Sequence, residues 1–264
     1  MKIGVTGITG RMGRTIAAQV LQDEVVELSC ALVRKGSGQE GEDVAEFLGF
    51  AENGGKMISD INLFLQNCDA VIDFSAPALS LEIAAKCAAA KKIMVCGTTG
   101  FSENEKQQLA EYAKNTVIIW SSNMSLGINL LMNLAEKVAT ILHDDFDVEI
   151  VEMHHKNKVD APSGTALSLG AAVAHGRGVD LQKSAVMARV GKDAKREKGE
   201  IGFATLRGGD VIGDHSIIFA GDGERVELTH KASNRDIFAK GAIRAAIWGS
   251  AKDAGFYSMR DVLS

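Results

Sequence analysis

Hydrophobic and polar positions change their period several times along the chain, and each change marks an element. Residues 2–6, KIGVT, alternate as a short strand. GITGRMG follows as a glycine-rich turn, and RTIAAQVLQ repeats its apolar residues at helical spacing. The unit recurs: DAVIDFS (69–75) predicts a buried strand, and LSLEIAAKCAAA a helix. KIMVCGTTG predicts a strand and turn before a helix opened by Ser102, with Glu105 three residues on to form a capping box. TVIIWSS is a further strand. Strands alternating with helices over the first ~125 residues predict an α/β chain with a doubly wound parallel sheet.

After the helix LGINLLMNLAEKVATIL (126–142) the texture changes. FDVEIVEMHH alternates as a strand, which puts Val148, Ile150, Glu152 and His154 on one face and Glu149, Val151, Met153 and His155 on the other. Beyond the segment 163–174, the charged stretch RVGKDAKREKGE is expected to be a mobile loop. IGFATLR, VIGDHSIIFA and ERVELTHKA are three strand-like runs separated by GGD and GDG, which is hairpin punctuation. A second α+β domain on a mainly antiparallel sheet follows. The final helix, RDIFAKGAIRAAIWGSA, is expected to pack back on the first domain. The expected domains are therefore 1–125 plus 236–264, and 126–235. No internal repeat or low-complexity linker is visible.

Composition narrows the partners. The 264 residues are 46% hydrophobic, enough for a sizeable core, and carry a formal net charge of −5. That field gives no support for binding nucleic acid or an anionic membrane, so any anion must be caught locally. Cys30, Cys68, Cys87 and Cys96 lie in apolar stretches without CxxC spacing, as buried free thiols of a reducing compartment do. Arg11 and the glycines interrupt the apolar run near the start before it could form a secretory core, and no run reaches the roughly 18 apolar residues of a membrane span. A cytoplasmic protein is expected.

Gly7, Gly10 and Gly13 sit between a strand and a helix. Missing side chains there let a pyrophosphate approach backbone N–H groups at the positive helix end. About 20 residues on, where a NAD site usually places an acid for the ribose hydroxyls, the chain has Val33-Arg34-Lys35. Arg34, with Arg11, suits a 2′-phosphate, so NADPH is expected to be preferred to NADH. CGTTGF and SSNMS both follow strands at the carboxyl edge of the sheet. Gly97, Thr98, Thr99, Ser121, Ser122, Asn123 and Met124 suit a nicotinamide-ribose pocket.

The densest chemistry is in EMHHKNKVDAPSGTA (152–166). The histidine pair lacks the spacing of HExxH and has no cysteine nearby, so no metal is expected. Ser163 is a plausible N-cap before ALSLGAAVA, so the amides of Gly164 and Thr165 are expected to lie in the first helical turn, where they could take a carboxylate or phosphate. Lys156 and Lys158 add positive charge, and Asp160 either orients a lysine or ties down the loop. A capped helix after a solvated loop would explain Ser163, but not the clustered histidines and lysines.

This segment, together with GITGRMGR, VIDFS, CGTTGF, SSNMSLGIN, GEIGFATLRGGDVIGDH, LTHKASNR and MRDVL, resembles the 4-hydroxy-tetrahydrodipicolinate reductase (dihydrodipicolinate reductase) family over essentially the whole chain. The resemblance implies a Rossmann-type first domain that takes in the C-terminal helix, and a mixed-sheet domain for substrate binding and tetramer formation. It implies NADPH or NADH as cofactor, a small cyclic dicarboxylate substrate, and a role in the diaminopimelate route to lysine. It makes His154 a proton donor or acceptor and Lys158 the proton donor, with His155, Ser163, Gly164 and Thr165 on the substrate carboxylates. Gly7, Ile8, Thr9, Gly10, Arg11, Met12 and Arg34 would line the cofactor site with Gly97 to Thr99 and Ser121 to Met124. Val33 departs from the pattern, since many relatives have an acid there. Two alternatives are another NAD(P)-dependent enzyme on the same architecture, such as an amino-acid dehydrogenase, and a catalytically silent dinucleotide sensor.

Overall fold

The alternating segments of residues 2–125 become strands and helices in the order the pattern sets. The computed structural model describes residues 1–264. In chain order the elements are β1 (Lys2–Thr6), α1 (Arg11–Leu21), β2 (Glu27–Leu32), α2 (Val44–Phe47), β3 (Lys56–Ile58), α3 (Ile61–Gln66), β4 (Ala70–Asp73), α4 (Pro77–Ala90), β5 (Ile93–Cys96), α5 (Glu103–Tyr112) and β6 (Val117–Trp120). Then come α6 (Leu126–Leu142), β7 (Asp147–His154), α7 (Gly164–Arg177), α8 (Leu181–Ser184), β8 (Ala185–Val186), β9 (Ile201–Arg207), β10 (Gly213–Gly221), β11 (Glu224–Ala232), α9 (Asp236–Gly249), β12 (Gly255–Tyr257) and α10 (Met259–Val262). The chain divides into two units, Met1–Leu126 with Arg235–Ser264, and Gly127–Asn234. No helix is long and apolar enough to cross a membrane.

In the first unit seven strands pair in the order β12-β6-β5-β4-β1-β2-β3, every pairing parallel. Successive residues feed opposite faces. Ile72, Val95 and Ile119 join α1 and α9 in one core, whereas Val71, Met94 and Ile118 join α3, α4 and α5 in the other. Burial on both faces is why these strands read as continuous apolar runs rather than clean alternations. Ala239, Ala242, Ala245 and Ala246 let α9 lie close to the sheet. The four cysteines are buried free thiols, and burial pushes the Cys87 thiol up to about 12. The Ser102–Glu105 capping box opens α5. The short elements β3, β12, α2, α3 and α10 were not legible as periods, because three to six residues are too few to show one.

The second unit corrects the expected hairpins. Its order is β11-β10-β7-β9-β8, so β7 lies between β10 and β9. Only the GDG turn closes a hairpin; GGD leads from β9 across β7 to β10. β7 is antiparallel to β10 but parallel to β9, and β8 is parallel to β9, so half the pairings are parallel. The cause is the helical crossover between β7 and β8, which returns the chain in the same direction. Val148, Ile150, Phe203, Ile217 and Phe219 pack one face against α6 and α7. The charged stretch 189–200 is anchored: Arg189 reaches Glu149 and Glu200, and Arg196 reaches Asp147 and Glu149. Helix α1 begins three residues before its apolar period, and α7 runs three beyond 174.

Candidate active site

The strand order of the first sheet reverses between β4 and β1, and two cavities lie at the carboxyl ends of the strands there. Gly7, Thr9, Gly10 and Arg34 line one of about 830 Å³, together with Val33, Lys35 and Ser75. Met12, Gly97, Thr98, Thr99, Ser122, Asn123 and Met124 line another of about 340 Å³, which shares Phe74 and Ser75 with the first. Gly7 is left-handed at φ +66°, and a Cβ there would come within 2.7 Å of the Phe74 carbonyl oxygen. Helix α1 starts at Gly10 with no side-chain cap, so its first-turn amides face outward for an anion. This glycine cradle and open helix end fit a dinucleotide pyrophosphate, and no acid stands at Val33 to accept from a ribose.

Some of the expected cofactor residues have other work. The Ile8 side chain is 1% exposed and belongs to the core, which leaves only its backbone for a ligand. The Ser121 hydroxyl donates to the Asn123 carbonyl oxygen at 2.8 Å, closing the local turn. The Met124 side chain is also core. The Thr98 hydroxyl donates to Asp73 at 3.0 Å and accepts from the Ser75 amide at 2.9 Å. Arg11 is exposed in the first turn of α1.

Asp73, which the sequence reading passed over, organises this edge. Its side chain is fully buried and accepts from the hydroxyls of Thr6 (2.5 Å), Ser75 (2.6 Å), Thr98 (3.0 Å) and Ser80. One carboxylate thereby ties the ends of β1, β4 and β5 to α4. These are the segments that lead into the glycine turn and the CGTTG loop.

In the second unit, alternation along β7 buries Glu152 and His154 on the face that carries Val148 and Ile150. His155 lies just past the strand and is partly exposed. Glu152, 1% exposed, takes His154 Nδ1 on Oε2 at 2.5 Å and the Ser163 amide on Oε1 at 3.0 Å. Arg207 donates to both oxygens, at 2.8 and 3.0 Å, in a bidentate pair. Burial raises the Glu152 carboxyl, but Arg207, His154 and the Ser163 amide outweigh it and hold the group below the usual carboxylate range. Burial lowers His154 below its ordinary 6.5, against the opposing pull of Glu152. A neutral ring with Nδ1–H on Glu152 leaves Nε2 as its acceptor. Nε2 faces Gly213, where a Cβ would come within 2.9 Å.

Helix α7 opens with Ser163, whose hydroxyl oxygen accepts from the Ala166 amide at 3.1 Å. Gly164 is exposed, and nothing stands within 4 Å of a Cβ built on it. Lys158 pairs with Asp160 at 2.8 Å, and this lysine, helped by the backbone amide of Gly164, holds the Asp160 carboxyl below its usual value; the Gly164 amide expected to be open for an anion thus already serves Asp160. His154, Ser163, Gly164, Thr165 and Lys158 thus share one unit, with Glu152 joining the strand end to the helix cap. His215, from β10, sets its ring edge-on to His154 at 5.0 Å between centroids and meets the Ser163 hydroxyl at 3.1 Å.

Comparison with known proteins decides the family. Residues 1–124 match Dihydrodipicolinate reductase, N-terminus, and residues 127–263 match Dihydrodipicolinate reductase, C-terminus. The chain belongs to the dihydrodipicolinate reductase family. It is 50% identical over 264 residues to a 4-hydroxy-tetrahydrodipicolinate reductase of Bartonella tribocorum, covering 100% of this chain and 98% of the relative. It is 47% identical over 263 residues to the protein of that name from Pseudomonas fluorescens, with 99% and 98% covered. Among solved structures, a dipicolinate-bound dihydrodipicolinate reductase from Paenisporosarcina sp. TG-14 superposes with a TM-score of 0.78 at 26% identity, covering 98% and 97%. Membership makes the chain an NAD(P)H-dependent oxidoreductase on a Rossmann-type sheet with a second, mixed-sheet domain.

Several residues of this candidate site were not legible in the sequence. Glu152 was visible as the face partner of His154, and that shared face was the available signal. Arg207 pairs with His154 across β9 and β7, and His215 with Glu152 across β10 and β7. Both contacts depend on strand register between distant segments. Arg235, the N-cap of α9, and Phe238, in its first turn, reach the smaller cavity only because the chain end returns to the first unit.

Proposed function

We propose that the chain reduces 4-hydroxy-tetrahydrodipicolinate to tetrahydrodipicolinate, with loss of water, in the diaminopimelate route to lysine, and that NADPH is its preferred cofactor. The observation that carries this is the Glu152 carboxylate, which holds both the His154 imidazole and the capped end of α7. A proton-transfer group and a carboxylate-binding helix terminus are thereby kept in one arrangement. The bound nicotinamide supplies the hydride to the ring. The chain binds, orients and protonates. One substrate carboxylate takes the amides of Gly164 and Thr165 with the Ser163 hydroxyl, and His155 assists. Lys158 exchanges Asp160 for the substrate and gives its proton to the carbon adjacent to the reduced one; His154 Nε2 accepts, and so orients the ring or returns the proton. The dipicolinate bound to the Paenisporosarcina reductase is a planar dicarboxylate of the same class, which supports this use of the site.

NADPH is favoured because Arg34 and Lys35 line the larger cavity where Val33 replaces an acid. Cytoplasmic location and a homotetramer complete the proposal. Leu130, Leu134 and Ile141, exposed along one side of α6, suit self-association. NADPH should be oxidised only when the product of the preceding aldol-condensing synthase is supplied; no oxidation then refutes the function. A kcat/KM clearly higher with NADH refutes the cofactor assignment. Lys158→Ala should lower kcat about 10²- to 10⁴-fold, and a wild-type rate refutes its role.

A further inference from the structure

We propose that His215 is a positioning residue of the substrate-carboxylate site: its Nε2–H donates to the Ser163 hydroxyl oxygen and thereby frees the hydroxyl proton for the bound carboxylate. This rests on the placement of a substrate carboxylate at the start of α7. His215 is 4% exposed on β10, directly opposite Glu152 of β7 and His230 of β11. Its Nε2 lies 3.1 Å from the Ser163 hydroxyl oxygen, while Nδ1 is sealed from solvent and has no partner.

Two tautomers are conceivable, and their consequences differ. With the proton on Nδ1, a donor would be buried without an acceptor, and the Ser163 proton would be spent on Nε2. With the proton on Nε2, the buried group left unpaired is a lone pair, a less severe vacancy than an unpaired N–H. The Ser163 oxygen then accepts twice, from His215 and from the Ala166 amide, and its own proton has no acceptor within the protein. That is the state a carboxylate-binding hydroxyl requires. Burial, then the neighbouring His154, push His215 down to about 4, so the ring stays neutral and donates through one nitrogen only. His154, Glu152, His230 and Lys158 are the ionisable groups acting on it.

Two substitutions separate the hydrogen bond from the packing. His215→Phe keeps a ring against His154 but has no donor. His215→Gln restores an N–H near the position of Nε2. Titration of the holoenzyme with dipicolinate, with steady-state kinetics in parallel, should show His215→Phe weakening dipicolinate and raising substrate KM about tenfold, the loss of one good hydrogen bond, with NADPH KM unchanged. His215→Gln should recover most of that loss. In a Ser163→Ala background His215→Phe should add nothing. Wild-type dipicolinate affinity in His215→Phe, or equal losses with and without Ser163, overturns the role of His215 while leaving the reductase assignment standing. If the wild-type protein neither binds dipicolinate nor oxidises NADPH with substrate, the site assignment falls and this role falls with it.

Discussion

Replacing Glu152 by Gln tests the centre of the site with almost no change of shape. Each carboxylate oxygen serves two donors: Oε2 takes His154 Nδ1 and one Arg207 nitrogen, and Oε1 takes the Ser163 amide and the other Arg207 nitrogen. Whichever way the amide is turned, its NH₂ faces two donors. One arrangement strips Nδ1 of its acceptor, and the other strips the Ser163 amide. Removing one member of a buried ion pair costs about 3–5 kcal/mol. Arg207 is 20% exposed and keeps the carbonyl oxygens of Leu206 and Asp160, so about 2–4 kcal/mol is the expected loss of stability. If His154 is the group released, the ring is free to change tautomer or turn, and kcat should fall about 10²- to 10⁴-fold. If Ser163 is released, the loss should appear in substrate KM instead. NADPH KM should stay at the wild-type value in both cases, because the cavities proposed for the cofactor are built in the other unit. Urea unfolding gives the stability, and NADPH oxidation at varied substrate gives the kinetics. A folded variant with kcat and substrate KM both within about threefold of wild type would show that Glu152 orients neither group.

Gly13→Ala should cripple the cofactor turn, since its Cβ would fall 2.1 Å from the Gly7 carbonyl oxygen; NADPH titration should show at least tenfold weaker binding, and normal affinity refutes the close-packing argument. Asp73→Asn turns an amide NH₂ toward hydroxyls that now donate, which should cost about 1–3 kcal/mol and raise the Kd for NADPH without altering dipicolinate binding; an unchanged Kd would separate Asp73 from the cofactor site. Gly213→Ala should push against His154 Nε2 and lower kcat more than NADPH affinity, as steady-state kinetics would show; a wild-type kcat would contradict the placement of Nε2. His215 also predicts a pH dependence of stability. Its pKa falls from 6.5 to about 4 on folding, so its contribution is complete above 6.5 and is lost as pH drops from there toward 4. The full swing is about 3 kcal/mol, with about 2 kcal/mol gone by about pH 5. Urea midpoints of wild type and His215→Phe at about pH 7.5 and pH 5 should diverge by that amount, and parallel losses would rule it out.

Local pattern was sufficient wherever one segment decides its own environment. Strand β7 shows this: alternation put Val148, Ile150, Glu152 and His154 on one face, which the structure buries, and Glu149, Val151 and Met153 on the other, because side chains on a strand must alternate whatever it pairs with. The same holds for the glycine turn into α1, the Ser102–Glu105 box and the Ser163 cap, each set by residues within a few positions of one another. Pairing between distant strands is another matter. The GGD stretch looked like a hairpin, yet β7 takes the place between β9 and β10, burying its apolar face at the middle of the sheet. That register sets Arg207 beside His154 on one side and His215 beside Glu152 on the other. Thr6 and Thr98 reach Asp73 for the same reason, since parallel neighbours end together at one edge of the sheet, while Ser75 and Ser80 come from the turn and helix that directly follow β4. The sequence alone singled out the residues proposed to carry the proton and the anion site. Only the tertiary structure decided which carboxylate, guanidinium and second imidazole hold them, because those partners meet through strand register, which hydrophobic periodicity within one segment does not encode.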